Sequence, residues 1–112
     1  MKGEALKGHL DLLILAILAA GPCHGYGVIE QLRLRSDDVF DLPEGTVYPV
    51  LHRLDQAGLL VSAWSEVGGR RRRTYSLSDR GREALAERRS AWEQFANAMG
   101  VVLKGTSWPS TV

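Results

Sequence analysis

Residues 44–77 read EGTVYPVLHRLDQAGLLVSAWSEVGGRRRRTYSL, and a change of period inside this stretch decides the fold. Val47, Val50, Leu51 and Leu54 fall at i, i+3, i+4 and i+7, the spacing of an amphipathic helix, expected over residues 44–57. Gly58 follows at the usual place of a helix stop. Proline in a helix interior costs about 3 kcal/mol, whereas Pro49 would stand at N3 if Thr46 capped the helix, which allows a start later than Glu44. After Gly58 the period moves toward two. Residues 60–65 and 72–77 are candidate strands around Val67-Gly68-Gly69, and Gly-Gly between two such runs predicts a hairpin.

Upstream, Leu6, Leu10, Leu13, Ile14 and Ile17 stand at helical spacing over residues 6–20, while Leu12, Leu15 and Leu18 fill the other side. A helix apolar nearly all round must be covered on more than one face. A chain of 112 residues has little to cover it with, so part of it is expected to face a second subunit. Gly21-Pro22 ends it. A second helix is expected over residues 24–35, with Val28, Ile29 and Leu32 inward, followed by a polar, acidic loop over 36–43. His24-Gly25-Tyr26-Gly27 is a tight helix start with Tyr26 packed, not a nucleotide fingerprint.

Downstream, Ser78 offers an N-cap oxygen and Asp79 a first-turn negative charge for a long helix reaching Lys104. Its apolar stripe is Leu85, Trp92, Phe95, Ala96, Met99, Val102 and Leu103. Leu85, Trp92 and Met99 share the seven-residue spacing of a two-fold helix interface. The expected fold is therefore mainly α with a two-stranded β wing: a winged helix-turn-helix over residues 1–77, then a C-terminal dimerisation helix over 78–104 of the same domain. Residues 105–112, with Gly, Ser, Thr and Pro, are expected to form a flexible tail.

Composition bounds the function. With 112 residues, 45% hydrophobic and 24% charged, one globular domain is expected, not a disordered chain. The net charge of +1 argues against a simple polycation, but it conceals an asymmetry. Residues 1–58 carry five basic and eight acidic side chains, and residues 66–89 carry eight basic and four acidic. A single cysteine, Cys23, excludes an intrachain disulfide and points to a reducing, cytoplasmic setting, with the thiol as a small apolar plug between helices. The longest apolar run, residues 12–20, is far shorter than the roughly 20 residues that span a bilayer, so no membrane partner is expected.

The third helix divides its residues between two tasks. Its apolar side holds the core, leaving Gly45, Thr46, Tyr48, Pro49, His52 and Arg53 for the side that can enter a major groove. Arg53 suits a bidentate contact to guanine or a phosphate pair, Tyr48 and Thr46 can donate to phosphate oxygens, and Gly45 allows close backbone approach. Arg70, Arg71, Arg72 and Arg73 at the tip of a ribbon repel one another and gain little for folding, but beside a phosphate backbone each releases counterions. Double-stranded DNA is the expected partner. The alternative is a winged-helix protein-interaction module, in which the exposed side of the third helix meets another protein.

At these residues the sequence resembles a known family. The run Leu12-Leu13-Ile14-Leu15-Ala16-Ile17-Leu18, then Gly21-Pro22-Cys23-His24-Gly25-Tyr26, then residues 44–54, Gly58-Leu59, the Gly-Gly-Arg-Arg wing and Tyr75-Ser76-Leu77-Ser78 with Gly81 is similar to the PadR family of bacterial transcriptional regulators. The resemblance spans about residues 9–104. It implies a homodimer formed through the long C-terminal helix and the first helix, and a repressor of a palindromic, inverted-repeat operator. It also implies a recognition helix over 46–57 and wing arginines along the minor groove or backbone. Pro43 departs from the Ser or Thr that relatives often carry there, and a single helix after the wing places the chain with the short members, without a separate effector domain.

Leu10, Leu13, Ile14, Leu85, Trp92, Phe95 and Met99 are the expected dimer-interface residues. Since some relatives of that family respond to phenolic acids or cationic aromatic drugs, Trp92, Phe95 and Met99 with their symmetry mates are also the expected border of a pocket for a flat hydrophobic effector. His9, His24 and His52 lie on different elements without metal-ligand spacing, so no metal and no cofactor are expected. No triad, paired carboxylates or phosphate loop suggests an enzyme.

Overall fold

Among the described residues, seven elements carry these patterns: α1 (Leu10–Ala19), β1 (Cys23–His24), α2 (Gly25–Arg35), α3 (Glu44–Gln56), β2 (Leu60–Val67), β3 (Arg70–Leu77) and α4 (Asp79–Thr106). The computed structural model describes residue 6 and residues 8–106. Ile14, Leu15 and Leu18 of α1, Val28 of α2, and Val47, Leu51 and Leu54 of α3 are fully buried, and Leu42, Leu60, Tyr75, Leu77 and Leu85 close the core around them.

Much of the apolar first helix is covered within its own chain, while Leu12, Leu13 and Ala16 stay half-buried. It packs against α2, α3, β3 and α4 of its own chain, so Leu10, Ile14 and Leu85, expected at an interface, are core residues. That cover comes from β3 and α4, which lie far along the chain and leave no trace in the local pattern of α1. Leu6 is buried but precedes the helix: the His9 N–H donates to the Leu6 carbonyl (2.8 Å), and Gly8 between them has φ +88°.

α3 starts at Glu44, and Thr46 does not cap it. Pro43 is the N-cap, and its carbonyl accepts from the N–H groups of Thr46 (3.0 Å) and Val47 (3.2 Å). Pro49 consequently sits inside the helix. The carbonyl it cannot serve, that of Gly45, is on the solvent side with it, where water can satisfy the oxygen. Before α3, the 36–43 loop is organised by Ser36, whose Oγ donates to the Leu32 carbonyl (2.7 Å) and accepts from the Phe40 N–H (2.8 Å).

The sheet has three strands in the order β1-β3-β2, all antiparallel, where a two-stranded wing was expected. The extra strand is the pair Cys23↔Tyr75 and His24↔Thr74, too short to display a period of two. The hairpin is also longer than expected. Its register runs from Leu60↔Leu77 to Val67↔Arg70, leaving only Gly68-Gly69 as the turn, at φ 59° and 78°, a geometry that two-residue hairpins assign to glycine. The four arginines therefore belong to β3 and are not a loop.

Ser78 caps α4: its Oγ accepts from the Gly81 N–H (3.0 Å) and donates to the Gly58 carbonyl (2.7 Å). With 28 residues, α4 is about 42 Å long at 1.5 Å per residue. Beyond Leu85 its side chains are mostly exposed. The radius of gyration is 17.0 Å, against about 13 Å for a compact chain of this length, because half of α4 projects from the core. The helix runs two residues past Lys104, and the rest of the expected tail, 107–112, lies outside the described residues.

Candidate nucleic-acid interface

The buried side of α3 (Val47, Leu51, Leu54) fixes which side faces out. Gly45, Pro49, His52 and Gln56, at steps of three and four, are all exposed and form the outermost row. Tyr48 and Asp55 lie on the flank toward the wing, while Arg53 lies on the other flank, toward α1 and α4. Gln56 was missed in the sequence, although its spacing from His52 and Pro49 places it on the same row. Thr46 is half-buried.

Between α3 and the wing lies a cleft of about 370 Å³ lined by His24, Gly25, Tyr26, Tyr48, Tyr75 and the four arginines. β1 covers only Thr74 and Tyr75, so the edge of β3 along the arginines borders this cleft. The ring of Tyr48 lies so close over Gly25 that an added Cβ would stand 2.6 Å from it. Burial, and after it the Glu44 carboxylate, push the Tyr48 hydroxyl above its ordinary value. It is thus a hydrogen-bond donor at neutral pH. Tyr26, expected to be packed, is 53% exposed at the cleft; it stands at the second position of α2, beside its open N-terminal end.

The four arginines are not equivalent. Alternation puts Arg71 and Arg73 on the face that carries Tyr75 and Leu77 into the core, and Arg70 and Arg72 on the opposite face. Arg73 is half-buried and engaged: its Nη2 donates to Asp55 Oδ2 of α3 (2.8 Å) and its Nε to Ser62 Oγ (3.0 Å), which itself donates to the same carboxylate (2.8 Å). This triad sets the wing against α3. Trp64 pairs with Arg73 on the core-side face but is 58% exposed.

Arg53, expected to read bases, is held inside the protomer. Its guanidinium makes a bidentate pair with Asp11 of α1 (3.0 and 2.6 Å), and Arg88 of α4 reaches the same carboxylate at 3.2 Å. Burial alone would raise the Asp11 pKa, but the two arginines outweigh it and hold the carboxyl below its usual range. One acid thus joins α1, α3 and α4.

Past this junction the stripe of α4 opens to solvent: Trp92 is 43%, Phe95 53%, Met99 45% and Val102 64% exposed. Trp92 meets His9 edge-on (5.3 Å between centroids) and leans on Phe95 (5.9 Å). Together with Gly8, Leu12, Arg88 and Ala91 these rings line a groove of about 250 Å³. Leu13, half-buried, lies instead beside Ala16, Ile17 and Phe40. Cys23 packs against the core, and burial pushes its thiol up, away from thiolate chemistry. Among the described residues no group of three or more His, Cys, Asp or Glu is placed to hold a metal ion, and no helix is long and apolar enough to cross a membrane.

The family model described as "Transcriptional regulator PadR-like family" matches residues 14–87. The chain is 42% identical over 93 residues to the transcriptional regulator Rv3488 of Mycobacterium tuberculosis, covering 83% of this chain and 84% of that protein. A PadR family transcription regulator from Clostridium difficile R20291 superposes with a TM-score of 0.76 at 33% identity, over 85% of this chain and 98% of the other. Bacillus subtilis PadR, solved in complex with operator DNA, shares the fold, with a TM-score of 0.65 at 23% identity over 70% of this chain and 45% of that one.

Proposed function

The chain belongs to the PadR-like family of transcriptional regulators, winged-helix DNA-binding proteins that catalyse no reaction, and from this we propose that it is a repressor that binds an inverted-repeat operator as a homodimer. The observation that carries the proposal is the cleft in which Tyr48 of the recognition helix and Arg70–Arg73 of the wing face one another. In this reading Gly45, Pro49, His52 and Gln56 approach base edges, Tyr26, Tyr48 and Thr46 donate to phosphate, and Arg70, Arg71 and Arg72 follow the backbone or minor groove. Arg53 holds the helix in place. The exposed stripe Trp92, Phe95, Met99 and Val102 supports dimerisation through α4. A two-fold axis would set the two recognition helices in successive major grooves about 34 Å apart. The groove beside Trp92 supports a flat hydrophobic effector that relieves repression on binding there.

Mobility shift and footprinting on the promoter of its own gene test this. Protection of two half-sites about one helical turn apart is the expected result. Absence of a shift at low salt would overturn it and favour the protein-interaction alternative.

A further inference from the structure

We propose that Trp64 is a positioning residue for Arg71, holding its guanidinium ready for DNA, so that Arg71 acts as a pre-ordered contact while Arg73 serves the fold. The proposal rests on the DNA-binding reading above and adds a division of labour within the wing. Trp64 is a large aromatic residue at 58% exposure, outside the core. Its ring is occupied on the sheet face by Arg71, 4.7 Å from the centroid, and Arg73 stands at 5.8 Å. The register explains why: Trp64 pairs with Arg73, and Arg71 is its diagonal neighbour on the same face. Arg73 is itself tied to Asp55 and Ser62. A continuous row, Asp55–Arg73–Trp64–Arg71, therefore runs from the recognition helix toward the hairpin end.

The two stacked arginines differ in one decisive respect. The charge of Arg73 is already met by Asp55, whereas Arg71 stands opposite Glu66 in the ladder but, among the described residues, makes no ion pair with it. No carboxylate holds the Arg71 guanidinium, so it can turn to a phosphate, while the indole restricts its rotamers and less side-chain freedom is lost on contact. Arg70 and Arg72, on the opposite face, lie away from the indole.

The test is a double-mutant cycle on the full chain, read by fluorescence polarisation with a labelled operator duplex over a range of salt. Trp64→Ala is expected to weaken binding about 2- to 5-fold with an unchanged salt slope, because Arg71 still reaches its phosphate. Trp64→Phe restores most of the loss. Arg71→Ala lowers the slope by about one unit, and in that background Trp64→Ala adds nothing. An equal loss from Trp64→Ala with and without Arg71, or no loss at all in a protein of unchanged melting temperature, overturns the proposal while leaving DNA binding intact. If the unaltered protein fails to bind, the DNA-binding reading fails and takes the proposal with it; if it binds and replacing Arg70, Arg71 and Arg72 together changes nothing, the wing does not meet the DNA and the proposal alone is overturned.

Discussion

Replacing Asp11 by Asn keeps the side chain's shape and removes the charge that joins three helices. Three charge-assisted hydrogen bonds are affected: two from Arg53, at 3.0 and 2.6 Å, and one from Arg88 at 3.2 Å. The acid is 21% exposed but its partners are 59% and 42% exposed, so solvent screens both pairs. Exposed pairs are worth about 0.2–1 kcal/mol each, which sets the combined loss near 1 kcal/mol, with the two guanidinium groups left facing one another. For a domain of this size that is a fall of about 4–8 °C in melting temperature. The pH dependence isolates the cause. Because the folded pKa of Asp11 lies below its ordinary value of 3.8, its stabilisation is complete above about pH 4 and is lost as pH falls through the folded value. The difference between parent and variant, followed by thermal melts at fixed protein concentration, should be full at pH 7 and vanish once the pH has fallen below the lowered folded pKa. A difference that persists unchanged in acid, or none at pH 7, would refute the role given to this carboxylate.

Gly81→Ala drives a Cβ onto the Leu59 carbonyl oxygen, so backbone must move; a loss of about 2–3 kcal/mol is expected in denaturant titrations, and an unshifted midpoint contradicts the packing. Trp92→Ala combined with Met99→Ala should convert a dimer to a monomer in sedimentation velocity with the helical signal largely retained, and an undiminished dimer would place the interface elsewhere. Arg73→Ala should cost about 1 kcal/mol of stability and leave the salt slope of DNA binding unchanged, whereas Arg70→Ala with Arg72→Ala should reduce that slope by nearly two units. The opposite pattern would mean that Arg73, not the free arginines, meets phosphate.

The elements and their inward faces were legible because periodicity is a local property. Val47, Leu51 and Leu54 announce the core side of α3, and the Gly-Gly between two strand-like runs announces the hairpin. The apolar stripe of α4 was readable as a helical row, but not that its first member, Leu85, enters the core while Trp92, Phe95 and Met99 stay exposed. What the local pattern did not reveal was which residues pack on which within the protomer. Leu10 and Ile14 look like surplus apolar surface until β3 and α4 return over them. Tyr26 looks packed until the cleft is built.

Arg53 shows the division most clearly. Its place on the solvent side of an amphipathic helix follows from the sequence alone, because 3.6 residues per turn permits no other. Its partner does not. Asp11 lies 42 positions away along the chain and Arg88 a further helix beyond, and only the packing of α1 against α3 and α4 brings the three charges within hydrogen-bond reach. Local hydrogen bonding and side-chain periodicity settled which groups face outward. Long-range packing decided which of those outward charges are already neutralised, and so which of them remain available for DNA.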